Sequence, residues 1–384
     1  MNLPIVILGA GLAGVSVARE LRKLRRDQEV VLVTADSGDF YAKPNLSNAL
    51  AAGRSPAQLR QTPAAQLAAD LGLVLRAHTR VTRILAEAHR LETDHGDIAY
   101  SRLVLALGAD PIRLPLQGDG ASEVLAVNHL DDYVLFRRKL EGARRVAILG
   151  AGLIGCEFAN DLRAAGKEVD VFDLAPQALG RLLPAQAAAH FAARLGEAGV
   201  RFHFASSVVE VGRDGPGYRL RGKDGASWPT DLVLSAVGLK PSLALATQAG
   251  LQVQRGIAVD DRLATSSADI FALGDCAEVQ GLVLPFVLPI MQAARTLAKT
   301  LAAPGQAASQ LVYPAMPVVV KTPACPTVVC PPPAGAPGSW REEADAGGVR
   351  ALFEDAAGKP LGFALVGEAV KEKQALAQRM PNWL

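Results

Sequence analysis

Cysteine is scarce: Cys156, Cys276, Cys325 and Cys330 are the only four in 384 residues. That is too few, and too scattered, for the disulfide framework of a secreted domain, so a reducing compartment is expected. Aromatic residues make up only 5% of the chain, and no dense basic stripe runs between them. Forty Lys+Arg nearly cancel thirty-eight Asp+Glu, leaving +2, which argues against nucleic acid as a partner. Long apolar runs are missing too. Half of the residues are hydrophobic and mean hydropathy is +0.19, yet the runs stay short and strand-like, well under the roughly 20 residues a spanning helix needs. The first residues pass straight into a strand, with no basic stretch, apolar stretch and cleavage site ahead of it. A soluble cytoplasmic chain without a membrane span is the expectation, and no metal site is expected. At this length two or three domains are needed to bury so much apolar surface.

What the chain has in quantity is glycine, and it is patterned. The strand-like Pro4-Ile5-Val6-Ile7-Leu8 runs into Gly9-Ala10-Gly11-Leu12-Ala13-Gly14. Much later Arg145-Val146-Ala147-Ile148-Leu149 runs into Gly150-Ala151-Gly152-Leu153-Ile154-Gly155. In each G-x-G-x-x-G the first glycine permits the tight turn, the second lets backbone approach a pyrophosphate, and the third lets helix pack on strand. The diphosphate then rests on free N–H groups at the positive end of the following helix. One such turn is a weak signal, since purely structural turns share it. Two in one chain predict two dinucleotide sites.

The strand following each motif's helix locates an adenosine ribose, where an acid accepts hydrogen bonds from the hydroxyls. In the second unit Glu168-Val169-Asp170-Val171-Phe172 ends in Asp173. Its charge opposes a 2′-phosphate, and no arginine follows directly, so NAD is favoured over NADP; Arg181 lies further on. In the first unit Val30-Val31-Leu32-Val33 ends instead at Thr34 and Ala35, with Asp36 beyond, which departs from the usual pattern.

Other stretches complete the first site. Lys43, before the rigid Pro44, is placed to reach a pyrophosphate or flavin, against the plainer reading of a solvated loop lysine. Val81, in the strand Thr79–Ile84, is a candidate for adenine through its main chain. A strand into Gly274-Asp275 offers a carboxylate for a ribityl hydroxyl. Pro285–Pro289, including Val287, opens a helix whose N-terminus faces the flavin pyrimidine. Such a helix end stabilises the charge of a reduced flavin by about 0.3–1 kcal/mol, up to roughly 20 mV, a tuning effect. Lys321 is placed to reach back to the same flavin.

The fold class expected is α/β: two Rossmann-like domains, the second inserted in the first, plus a small α+β C-terminal domain. The divisions are 1–113 with 238–304 for the first domain, 114–237 for the second and 305–384 for the third. Further helices are expected over 50–70, 130–140, 185–198 and 368–378. The C-terminal portion should hold strands at 316–322, 327–330, 349–354 and 360–366.

Four motifs resemble the two-dinucleotide-domain flavoprotein reductases, the glutathione-reductase-like superfamily, and within it the rubredoxin reductase family. They are Tyr41-Ala42-Lys43-Pro44-Asn45-Leu46-Ser47, the run from Gly150 through Cys156, Glu157, Asn160 and Asp161 to Leu162, Phe271-Ala272-Leu273-Gly274-Asp275-Cys276-Ala277-Glu278, and Lys321-Thr322-Pro323-Ala324-Cys325-Pro326. The resemblance spans essentially the whole chain. It implies one FAD on Gly9 to Ala13, Lys43, Val81, Asp275, Val287 and Lys321, with NADH on the inserted domain and Glu157 near flavin and nicotinamide, paired with a lysine. It also implies hydride transfer from NADH to flavin, then single electrons to rubredoxin, in alkane hydroxylation or oxygen detoxification. Glu157, Lys43 and Lys321 are the candidate catalytic residues, although direct hydride transfer requires no side-chain acid or base. The plainer reading of Glu157 is an acid satisfied by the helix dipole.

Three alternatives remain at this stage. A disulfide reductase or peroxidase needs a cysteine at the flavin, and none precedes Cys156. Cys325 and Cys330, in an extended strand, would stand roughly 16 Å apart, beyond disulfide reach. A ferredoxin reductase shares the chemistry with another iron protein. A non-enzymatic FAD-binding interaction protein is disfavoured by intact glycines in both motifs and by Asp173.

Overall fold

The computed structural model describes residues 3–303 and 309–384. The first sheet has five parallel strands in the order Ile270–Ala272, Arg102–Leu105, Ile5–Leu8, Val30–Val33, Val74–Arg76. Every residue of Ile5–Leu8, Val30–Val33 and Ile270–Ala272 is buried. Continuous apolar runs of this kind belong to parallel strands covered on both faces. Helix Leu12–Leu24 packs on helix Val287–Ala302, so the helix after the opening glycines meets the one that follows Gly274-Asp275.

The second sheet repeats the plan with four parallel strands, Val200–His203, Glu168–Phe172, Arg145–Leu149 and Leu232–Ser235. One face is covered by a three-stranded antiparallel sheet, whose Val211 and Leu220 pack on Ala147, Leu149, Phe172 and Val233. The helices Leu130–Leu140, Leu153–Ala164 and Ala185–Glu197 contribute Phe136, Phe158 and Phe191 to another core. The chain leaves the first unit along Ala109–Pro111 and returns along Leu239–Pro241, and these two strands pair antiparallel. A two-strand ribbon thus carries the insertion.

The last sheet is antiparallel, in the order Val318–Val320, Thr327–Cys330, Pro360–Gly367, Gly348–Glu354, Ser339–Asp345. Helix Ala185–Glu197 packs against its last three strands. Because Pro184 offers no side-chain cap, the start of that helix is satisfied from this sheet: Glu342 accepts from the N–H groups of Gln186 and Ala187 at 3.2 and 2.8 Å.

Several elements differ from the sequence expectation. Ser339–Asp345 is a strand that sequence reading missed, because Ser-Trp-Arg-Glu-Glu-Ala-Asp is mostly charged and exposed, as suits a sheet edge. The single helix expected over 50–70 is two short ones, Pro56–Leu59 and Ala64–Leu71, since Thr62 between them bridges to Phe40 and Pro63 starts the second. The helix expected near 368–378 divides into a 3-10 turn, Glu368–Glu372, and helix Lys373–Ala377. The division drawn between 304 and 305 lies outside the described residues.

Candidate functional site

The two glycine turns have the same construction. Gly9 lies at φ +117°, where a Cβ would strike the Ala106 carbonyl, and a Cβ on Gly14 would strike the Gly9 carbonyl oxygen. Around Gly11 nothing stands within 4 Å of where a Cβ would be. The second turn matches: Gly150 at φ +109° would meet the Ala236 oxygen at 2.6 Å, Gly155 would strike the Gly150 carbonyl, and Gly152 is open. The outer glycines are therefore demanded by packing, and the middle ones leave a bare cradle. Gly11 and Gly152 are the N-caps of helices Leu12–Leu24 and Leu153–Ala164, without side-chain caps and without acids in the first turn. Free N–H groups beside open space fit a dinucleotide diphosphate.

Gly274 approaches the first turn so closely that its Cβ would stand 2.9 Å from that of Ala13, which sets Asp275 beside the cradle. Burial pushes the Asp275 carboxyl up, against the opposing charge of Lys43. Burial likewise lowers Lys43, while Asp275, Asp110 and Asp132 hold it up. Val287 is exposed and begins helix Val287–Ala302, whose first turn has no side-chain cap and no acid. At the adenosine end Thr34 is buried and donates to Asp36 Oδ1 at 2.7 Å, which also accepts from the Gly38 N–H at 2.9 Å. Ala35 is exposed between them. The Thr79 N–H donates to the Thr34 carbonyl at 2.8 Å, which brings the start of the Val81–Leu85 strand to this end.

In the second unit Asp173 holds the glycine turn itself. Its Oδ2 accepts from the Ala151 N–H at 2.5 Å and its Oδ1 from the Ala175 N–H at 2.7 Å. A carboxylate offers about four acceptor positions, so acceptor capacity remains for ribose hydroxyls.

Glu157 is fully buried on helix Leu153–Ala164. Its Oε2 accepts from Lys321 Nζ and from Ser47 Oγ, both at 2.5 Å, and its Oε1 accepts from the Lys321 N–H at 3.0 Å. Lys321 Nζ also donates to the Pro44 carbonyl at 2.6 Å. The acid thus joins all three units and pairs with Lys321. Helix-dipole satisfaction alone does not describe it, and Lys43 makes no ion pair among the described residues. Ser47, Asn160 and Asp161, which belong to the same junction, lay inside the quoted motifs without an assigned role.

All four cysteines are free and buried. Cys156 Sγ donates to the Ala151 carbonyl at 3.3 Å and burial pushes its thiol up. Cys276 donates to the Leu273 carbonyl at 3.4 Å, and burial raises it to about 11. Neither is a ready thiolate.

Two bare glycine cradles, one unit inserted into the other, and a buried Glu157 paired with the partly exposed Lys321 at their junction are the build of a two-nucleotide protein. Residues 3–307 match the pyridine nucleotide-disulphide oxidoreductase family, and the chain belongs to it. Residues 310–380 match the rubredoxin binding C-terminal domain. The chain is 46% identical over 379 residues to the rubredoxin-NAD(+) reductase of Alcanivorax borkumensis, covering 98% of each protein. It is 44% identical over 388 residues to that of Acinetobacter baylyi, covering 99% of this chain and 98% of the relative. The crystal structure of the ferredoxin reductase for the CYP199A2 system from Rhodopseudomonas palustris superposes with a TM-score of 0.88 at 29% identity, covering 99% of this chain and 96% of that one.

Proposed function

We propose that this protein is an FAD-dependent reductase that takes electrons from NADH and passes them to rubredoxin. The observation that carries the partner is the match of residues 310–380 to the rubredoxin binding domain, joined to relatives of the same activity over nearly the whole chain. A ferredoxin acceptor is the second reading, favoured by the likeness to a ferredoxin reductase structure. FAD, when bound, supplies the conversion between the two-electron hydride of NADH and the single electrons a one-iron protein accepts.

The chain supplies binding, orientation and charge. The helix starts at Leu12 and Leu153 hold the two diphosphates over Gly11 and Gly152. Thr34, Ala35 and Val81 would line the adenosine end of FAD, Asp275 would accept a hydrogen bond from a ribityl hydroxyl, and the free N–H groups at Val287 would face the pyrimidine. Lys43 and Lys321 place positive charge beside the flavin. Glu157 holds Lys321 in position at the seam where the nicotinamide enters. Asp173 binds the ribose hydroxyls of NADH and repels a 2′-phosphate.

We assign 1–113 with 238–304 to FAD, 114–237 to NADH and 305–384 to the acceptor side. A cytoplasmic location agrees with four free cysteines, and no helix among the described residues is long and apolar enough to cross a membrane.

Anaerobic mixing with NADH tests the reading. Bleaching of the flavin band, followed by reoxidation with rubredoxin faster than with ferredoxin, is the expected result. No bleaching would leave a protein that only binds nucleotides.

A further inference from the structure

Helix Leu153–Ala164 begins at the second glycine cradle, yet one face of it is committed elsewhere. Glu157, Asn160 and Asp161 stand at i, i+3 and i+4, a spacing that puts them on the same side, and all three are buried. Glu157 has been described above. Asp161 accepts from the N–H groups of Leu50 and Ala51, at 2.9 Å each, one on either carboxylate oxygen. Asn160 Oδ1 accepts from the Ala324 N–H at 3.1 Å. Leu50 and Ala51 close the segment that carries Lys43, Pro44 and Ser47; Ala324 closes the turn that carries Lys321.

Cohesion alone does not require these groups. Leu46, Ala49 and Leu162 share an apolar cluster at the same junction, and apolar residues join surfaces without desolvating a carboxylate. What a carboxylate adds when both oxygens meet two particular backbone N–H groups is a fixed register. A slide of the 43–51 segment along the helix would strand a buried charge.

We propose that Asp161 and Asn160 are positioning residues that fix Lys43, Ser47 and Lys321 against the nucleotide-binding helix. The flavin-side charges and the nicotinamide are thereby held in one frame. This rests on reading the start of that helix as the NADH site. Neither residue touches a cofactor; each acts through the backbone of a segment that bears a flavin-side lysine.

The test uses the full-length, FAD-loaded protein with Asp161→Asn and, separately, Asn160→Ala. Asp161→Asn keeps the size but sets an amide NH2 against one of the two N–H donors. In anaerobic stopped flow the limiting rate of flavin bleaching by NADH should fall at least tenfold, while the NADH Kd stays within twofold. Without any NADH, the absorption envelope and midpoint potential of the bound flavin should shift, because the lysines beside it have moved. A merely structural contact would lower the melting temperature and leave spectrum, potential and limiting rate alone, and that result overturns the proposal. Should Asp161→Asn not fold, Asn160→Ala removes one hydrogen bond, strands no charge and is judged by the same readouts. If the wild-type protein itself is not bleached by NADH, the function reading fails, and the spectrum and potential of the variants still decide this inference.

Discussion

Two carboxylates three residues apart, Asp170 inside the strand Glu168–Phe172 and Asp173 just beyond it, do different work. Asp173 grips the Ala151 and Ala175 N–H groups and so supports the turn, and in the function proposed it also selects the ribose. Asp173→Arg should raise the KM for NADH and collapse the ratio of kcat/KM for NADH over NADPH. Because the turn also loses its anchor, activity with NADPH should not rise to the original NADH level. An NADH preference left unchanged would remove Asp173 from the ribose. Asp170 is engaged instead with Arg201 and His203 of the neighbouring strand. Burial alone would raise its carboxyl, but hydrogen bonds from His203 at 2.8 Å and Arg201 at 2.6 Å hold it at about 2. Its folded value lies below the unfolded one, so its contribution, about 2 kcal/mol, is complete above about pH 5 and is lost progressively as pH falls through about 2. Denaturant melts across that range should show the loss, and Asp170→Asn should flatten it.

At the scale of elements, the two strand–turn–helix units separate folding from binding within one motif. Gly14→Ala drives a methyl into the Gly9 carbonyl, so the helix cannot seat on the strand. Gly11→Ala meets nothing, and its φ of −73° suits any residue. The expected outcome is that Gly14→Ala yields unfolded or aggregated chain. Gly11→Ala yields a folded protein with near-normal apoprotein melting but little bound flavin, because the new methyl occupies the space for the diphosphate. Flavin content per chain and circular dichroism distinguish the two. If Gly11→Ala retains full FAD, the diphosphate does not lie over that turn.

Across the whole molecule, the units share cores. Phe191 and Leu195 of helix Ala185–Glu197 belong to the same apolar cluster as Val329, Val349, Ala351, Ala364 and Val366 of the last sheet. Phe191→Ala should cost about 3–5 kcal/mol and should lower the melting of nucleotide unit and C-terminal sheet together. Two separate transitions in calorimetry would show that the last sheet stands alone.

The sequence by itself determined the repeated part of the architecture, for a local reason. A buried parallel strand must be a continuous apolar run, and a turn held at positive φ favours glycine, so the runs from Ile5 to Gly14 and from Val146 to Gly155 announce strand, turn and helix from local pattern alone. Asp173 was picked out on the same grounds, as the acid just after the next strand, and the structure has it accepting from the Ala151 and Ala175 N–H groups. Strand Ser339–Asp345 was not, because an exposed edge imposes no apolar alternation. Only the tertiary structure decided that Glu157 pairs with Lys321 and Ser47, and that Asp161 and Asn160 reach backbone in the other two units. These contacts join residues far apart in the chain, and which charge meets which is set by how the three units pack together.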